Sequence, residues 1–241
     1  VSPNYDEQYV AHLFDRMSPT YDAINLISSF GFSESWRAQC VRNLSIPRGA
    51  TVADLMSGSG ECWTYLRRRL GAKGKIFSVD FSRAMCDRQK GRLKKCAAPL
   101  PEIYWENALS TTLRDDSVDF IISAFGLKTF DAPSLDRLAR EMFRILRPGG
   151  GCSLIEISVP PAAWLRALYV FYIKAIIPLI GRMFLGDIEC YRMLGIYTEA
   201  FGSCAAVMEH FQRAGFDIEL RSHFFGCASS IIARKKSAVE A

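Results

Sequence analysis

An α/β fold with a mostly parallel, doubly wound sheet is predicted by three features of the sequence. Short apolar runs alternate with amphipathic stretches from Thr51 onward, the pattern of successive βαβ units. The first run passes into Asp54-Leu55-Met56-Ser57-Gly58-Ser59-Gly60-Glu61, a glycine turn between a strand and a helix, where backbone N–H groups lie bare beside a ligand. About 20 residues further on the second run ends in Asp80-Phe81, at the carboxyl edge where such sheets collect their ligands.

Residues 1–46 form a helical lid in this reading. Tyr9, Val10, Leu13, Phe14 and Met17 recur at three- and four-residue spacing, and Ser18-Pro19 interrupts the run. Residues 47–159 form the core, with strands expected at 51–55, 75–79, 102–106, 118–123 and 151–158. Helices are expected at 61–70, 82–95 and 134–146, and Pro148-Gly149-Gly150 is expected to be the last turn before the fifth strand.

Residues 160–200 are expected to be a helical insertion capping a substrate pocket. Pro160 to Leu185 is rich in Trp, Tyr, Phe, Ile and Leu, but Arg166, Lys174, Pro178 and Arg182 interrupt it. A charge near the centre of a bilayer costs about 2.5–3.5 kcal/mol, so a transmembrane helix is rejected. Peripheral contact with a membrane surface through the apolar side is the second use of this segment. Residues 201–241 complete the single domain with a helix at 203–214, stopped by Gly215, and strands at 216–221 and 228–234 that suit a hairpin at the sheet edge.

The chain of 241 residues, 49% of them hydrophobic, is long enough for one sizeable core with a cap. Its net charge of +5 is spread without a basic block, which disfavours nucleic acid as a partner. The eight cysteines show no Cys-x-x-Cys pair and no Cys/His metal spacing. A reducing, cytoplasmic setting without structural metal is expected, in keeping with the polar stretch from Val1.

The turn discriminates between ligands. A dinucleotide fingerprint has a third glycine under the pyrophosphate, whereas position 63 is Trp63. Asp54 before the turn and Glu61 after it set negative charge toward a ligand bearing an ammonium and a sulfonium, which suits S-adenosyl-L-methionine. The competing reading is a turn that merely caps a strand in some other α/β protein.

Further residues carry a family resemblance. Tyr21-Asp22-x-x-Asn25, Ser29-Phe30-Gly31, Trp36-Arg37, the glycine turn, Asp80, Asn107-Ala108, Phe125-Gly126-Leu127, Leu146-x-Pro148-Gly149-Gly150 and Tyr191-Arg192-x-Leu194 run through nearly the whole chain. Together they resemble the ubiquinone/menaquinone-biosynthesis C-methyltransferases. The resemblance implies an S-adenosylmethionine-dependent methyltransferase with the seven-stranded Rossmann-like fold of class I. It puts Gly58, Ser59 and Gly60 against the cofactor, Asp80 on the ribose hydroxyls with Phe81 beside it, and Asn107-Ala108 beside the adenine. It closes Tyr21 over the methionine end and sets Ser123 and Ala124 at the end of the fourth strand, Ala124 replacing the family's usual serine. By analogy it also implies a homodimer.

Methyl transfer is a displacement at a sulfonium methyl group and depends on in-line positioning and exclusion of water. Carbon methylation of a quinol also calls for a group that takes the ring's phenolic proton. Where the quinone-methylating enzymes present a Glu and an Arg after the Tyr-Arg-x-Leu motif, this chain has Ile196 and Glu199. Candidate bases are therefore Glu199, Tyr197, His223 and His12. Lys128 falls where the family has a basic residue after the fourth strand. The leading expectation is C-methylation of a quinol or related aromatic ring. Ile196 and Glu199 support an alternative, N- or O-methylation of a small soluble metabolite, and a catalytically silent scaffold subunit of a quinone-synthesis complex is the third reading.

Overall fold

The computed structural model describes residues 2–183 and 188–237. Five strands, β1 (Thr51–Leu55), β2 (Lys75–Asp80), β3 (Glu102–Trp105), β4 (Val118–Ala124) and β5 (Leu146–Ile157), precede a closing pair, β6 (Phe216–His223) and β7 (Ala228–Lys235). They form one seven-stranded sheet in the order β3-β2-β1-β4-β5-β7-β6. The first five are parallel, and β7 lies antiparallel between β5 and the edge strand β6. Because β1 pairs with both β2 and β4, the strand order reverses there, which opens a crevice at the carboxyl ends of these strands.

Three helices, α1 (Glu7–Met17), α2 (Tyr21–Ser28) and α3 (Phe32–Arg42), precede the sheet. The core helices are α4 (Trp63–Leu70), α5 (Arg83–Leu93) and α6 (Ala132–Ile145), followed by α7 (Ala163–Phe171), α8 (Ile177–Met183), α9 (Ile188–Phe201) and α10 (Met208–Arg213). Side-chain caps fix several starts. Asp6, Ser82 and Asp131 accept hydrogen bonds from the backbone N–H groups of Tyr9, Met85 and Ser134, each satisfying a donor that the first helical turn leaves unpaired.

Strand alternation divides the core between the two faces of the sheet. Ile121 and Leu154 pack with Leu138, Met142 and Phe211 on one face, while Ile122 and Ile155 pack with Val41, Trp63 and Leu66 on the other. A third cluster joins lid to cap: Leu13, Met17 and Ile24 meet Tyr191, Met193 and Tyr197. This cluster roofs the carboxyl edge of the sheet.

Two expectations are corrected. Pro148-Gly149-Gly150 does not end one element before the next, because β5 already begins at Leu146. Leu146 pairs with Val118 and Gly151 with Phe120, so the intervening residues bulge out of a continuing strand. The insertion is helical as expected, but Arg166, Lys174, Pro178 and Arg182 do not take it below the length and composition of a span: Ala163–Met183 is one helical run of 21 residues, long and apolar enough by composition to cross a membrane. Pro178 lacks the N–H that would bond one turn back, and the run accommodates it by a π-helical stretch at Tyr172–Ile176. Its inner side is fastened to the domain: the Tyr169 hydroxyl donates to the Cys227 carbonyl at 3.3 Å and that of Tyr172 to the Ser28 carbonyl at 2.6 Å.

Candidate active site

The glycine turn adopts its shape because neighbouring side chains fill the space around it. Gly60 has φ +84°, and a Cβ there would lie 2.6 Å from the indole ring of Trp63. That indole donates to Ser78 Oγ at 3.1 Å, Ser78 donates on to Ser57 at 2.9 Å, and the buried Gln89 amide holds Ser57 Oγ and the Gly58 carbonyl at 2.9 and 2.6 Å. Trp63 thus takes the place of a third glycine and locks the turn from beneath. Opposite it, Met56 has φ +54° and Phe125 φ +70°, conformations that cost bulky residues of order 1–3 kcal/mol and cluster at functional sites. Gly126 is required here, because its Cβ would meet Met56 Sδ at 2.6 Å.

Three carboxylates gather at the turn. Asp80 is 7% exposed, and its two oxygens accept the N–H groups of Gly58 at 2.7 Å and Ser82 at 2.9 Å. Burial outweighs those hydrogen bonds, and with Glu61 and Asp15 nearby the carboxyl is raised to about 7. Asp54 is raised well above the usual carboxylate range, by burial first and then by Glu61 and Asp80. Its Oδ2 is buried with no partner, the kind of orphaned acceptor that folds retain for a ligand. Glu61 is not a bare negative charge, as the sequence suggested: it accepts from Arg37 at 3.0 Å and from the Ser59 N–H at 3.0 Å.

The cleft beside this turn is lined by Tyr21, Asp54, Gly58, Asp80, Phe81, Asn107, Ala108 and Ala124, among others. The sequence assigned all eight to the cofactor, and the fold brings them together. Helix α1 covers the opening with Glu7, Val10 and Phe14, joined by Tyr5 from the segment before it. Asn107 is already engaged, donating to Glu7 at 2.8 Å and accepting the Leu109 N–H at 3.0 Å.

Ser59, Gly60 and Ser123 do not line the cleft. Ser59 turns away to bond Asp22, and Gly60 faces Trp63. Ser123 precedes Ala124 on β4, so pleating sends its side chain to the opposite face, where its hydroxyl is buried and unpartnered.

A second, chiefly apolar cavity lies between the lid and the insertion, with Trp36, Leu165, Tyr169, Ile173 and Leu194 in its walls. Tyr21 and Phe125 line both spaces and form the partition between them. Lys128 also lines the apolar cavity and is only 4% exposed. Its ammonium donates to the Phe125 carbonyl at 2.8 Å and to Glu156 at 2.9 Å, leaving one of its three donors. Glu156 further accepts the N–H groups of Lys128 and Ile157, so this buried pair is satisfied. From the sequence, Lys128 could equally face a pocket mouth or be a solvated loop lysine; the fold shows it buried beside the apolar cavity.

The four candidate bases lie outside both cavities. Glu199 is exposed on α9 and pairs with Lys174 at 2.8 Å. Tyr197 is buried and donates to the Asn4 carbonyl. His12 is exposed on α1. His223 bonds Ser230 at 2.9 Å across the closing hairpin. Helical periodicity explains the first two: α9 turns Leu194, Gly195 and Thr198 to the apolar cavity and therefore aims Ile196, Tyr197 and Glu199 elsewhere. The departures at Ile196 and Glu199 consequently say nothing about the substrate in that cavity.

Comparison with known proteins agrees with this architecture. The family model described as the ubiE/COQ5 methyltransferase family matches residues 3–235. The demethylmenaquinone methyltransferase of Oceanobacillus iheyensis is 30% identical over 98% of this chain and 98% of its own length. That of Lactococcus lactis is 31% identical over 95% of this chain and 91% of its own. Among solved structures, a SAM-dependent methyltransferase of Aquifex aeolicus superposes with a TM-score of 0.60 at 18% identity, covering 83% of this chain and 89% of that one. One from Thermotoga maritima gives 0.64 at 19% identity, covering 93% and 99%. At such identities these structures bear on the fold alone.

Proposed function

We propose that this chain, which belongs to the ubiE/COQ5 methyltransferase family, transfers a methyl group to a ring carbon of a quinol. The observation that carries the reading is the shared partition. Tyr21 and Phe125 stand between a cleft that gathers Asp54, Asp80 and Asn107 and a second, more apolar cavity suited to a lipophilic ring. Named relatives are demethylmenaquinone methyltransferases, which makes a naphthoquinol the leading acceptor.

The residues of the cleft fit S-adenosyl-L-methionine. The unpartnered Asp54 Oδ2 suits an ammonium, Asp80 at the end of β2 has lone pairs left for two ribose hydroxyls, and Phe81 with Asn107-Ala108 lines the place for a purine. When bound, the cofactor supplies an electrophilic methyl group. This chain's part is to hold, orient and dry the reactants. Phe125 and Tyr21 narrow the passage, and Arg37, stacked 5.2 Å from the Phe125 ring, braces that wall. The remaining Lys128 donor would hold a ring oxygen of a quinol that has given its hydroxyl proton to solvent before entering, so that electron density builds on the neighbouring carbon.

The test is incubation with methyl-labelled S-adenosylmethionine and a short-tailed demethylmenaquinol under reducing conditions, followed by mass spectrometry and NMR of the product. A carbon-bound methyl group on the naphthoquinone ring is expected. Label found only on oxygen or nitrogen, or none at all with cofactor bound, rejects the assignment.

A further inference from the structure

We infer that the outer face of the Ala163–Met183 helical run docks flat on an anionic lipid bilayer, with the mouth of the apolar cavity turned to the membrane. The use of that mouth as an entrance for a lipid-soluble acceptor rests on the quinol reading; the docking rests on the surface itself. Trp164, Leu168 and Phe171 before the π-helical stretch and Leu179 and Met183 after it are spaced three or four residues apart within each group, and all are exposed, Trp164 at 70%. The opposite side of the same run supplies Leu165, Tyr169, Ile173 and Ile177 to the cavity wall. A helix apolar on both sides, with a cavity behind it and water before it, is not finished by its own domain.

The face continues beyond the helix. Phe30, 80% exposed, stacks on Tyr172 at 6.1 Å. Phe224 packs against Phe32 at 4.4 Å, and Phe225 projects from the β6–β7 turn at φ +56° and 79% exposure. Phe30 and Phe224 themselves line the cavity, so the exposed aromatic patch and the cavity rim are one surface.

Charge selects the occupant. Pro160 to Met183 contains Arg166, Lys174 and Arg182 and no Asp or Glu. Arg166 donates to the carbonyls of Pro160 and Pro161 at 3.2 and 3.0 Å, with no carboxylate partner among the described residues, and Arg182 is exposed. An apolar stripe edged by cations and carrying a Trp suits the headgroup region of an anionic membrane. A second copy seated on the same face would bring like charges together and stop the cavity. The ties of Tyr169 to Cys227 and Tyr172 to Ser28 hold the run against the domain, which favours lying in the interface over crossing it.

The experiment is flotation of the whole chain with vesicles of phosphatidylcholine alone and of phosphatidylcholine mixed with phosphatidylglycerol, with no quinol present. Flotation with the anionic vesicles is expected, at least about tenfold above that with the neutral ones. Leu168→Glu/Phe171→Glu is expected to lower it by about tenfold or more, and Arg166→Gln/Arg182→Gln to erase the preference for anionic lipid. Both variants change solvent-facing atoms, so thermal melting and stabilisation by S-adenosylhomocysteine should be unchanged. Absence of flotation, or flotation unaffected by the Glu pair, overturns the inference, as does a Glu pair that splits a dimer in sedimentation without altering flotation. A wild type that floats yet fails to methylate a soluble short-tailed quinol refutes the acceptor assignment and leaves the docking surface standing.

Discussion

Ser59 donates its hydroxyl to the two carboxylate oxygens of Asp22, at 3.0 and 3.1 Å, tying the second lid helix to the glycine turn. Arg88 and Arg92 reach the same carboxylate at 2.5 and 3.1 Å, and Arg92 also donates to Ser59 Oγ at 3.0 Å. Tyr21, one residue before Asp22, is thereby held over the partition.

Asp22→Ala should loosen lid and turn together. Loss of a hydrogen bond to a charged group costs about 1.5–3 kcal/mol, reduced here because Asp22 is partly exposed. Affinity for S-adenosylhomocysteine by calorimetry is expected to fall about tenfold, with a smaller change in melting temperature.

Asp80 is the anchor proposed for the ribose. Asp80→Ala should abolish the thermal shift produced by S-adenosylhomocysteine in the wild type; a shift that survives places the nucleoside elsewhere. Asp80 also sets a pH dependence. Its folded-state value of about 7 lies above the ordinary 3.8, so between the two the folded chain holds a proton that the unfolded chain has lost. Stability contributed by this group is therefore present at low pH and lost as pH rises toward 7. The ligand-free melting temperature of Asp80→Asn should decline less over that window than the wild type's.

Gly60→Ala puts a side chain at positive φ and against the Trp63 ring. A cost of about 2 kcal/mol or more corresponds to a fall in melting temperature of about 4–8 °C for a domain of this size, measurable by calorimetry.

Lys128→Met should reduce kcat and also destabilise the fold by about 3–5 kcal/mol, because it strands the buried Glu156 charge. Lys128→Met/Glu156→Gln removes the charge as well and should recover the melting temperature. If the ammonium acts on the ring oxygen, kcat of the double variant stays lower by about a hundredfold; full recovery assigns the lysine to structure alone.

His12→Ala and Glu199→Gln should leave kcat within about twofold of wild type, since neither side chain lines a cavity and exposed substitutions of this kind have small effects. A hundredfold loss in the methyl-transfer assay would restore either as a base.

The sheet, its hairpin edge and the gathering of Asp54, Gly58, Asp80 and Asn107 around one cleft were legible in the sequence because each rests on local pattern. Alternating apolar runs set the strands, and Gly58 and Asp80 sit at the strand ends where topology collects ligands. The acceptor side was not legible, because it depends on which way long side chains turn. On α9 one residue of offset separates the cavity-facing Thr198 from the outward Tyr197 and Glu199, and a sequence motif does not fix that rotation. Lys128 was obscure for a related reason: its burial depends on Glu156, 28 residues away and on another strand. Ser123 was misplaced by treating adjacent strand residues as interchangeable, though pleating sends them to opposite sides.

Helix α1 is held over the cleft by its buried Val10, Leu13 and Met17 and also by polar ties: Glu7 to Asn107, Glu7 to Arg137 at 3.3 Å, and Asp15 to Ser82 at 2.6 Å. Water and mobile ions compete for such ties far better than for buried methyl groups. Raised ionic strength should therefore loosen the Glu7 end of α1 over the cleft before it loosens the turn packed through Leu13 and Met17.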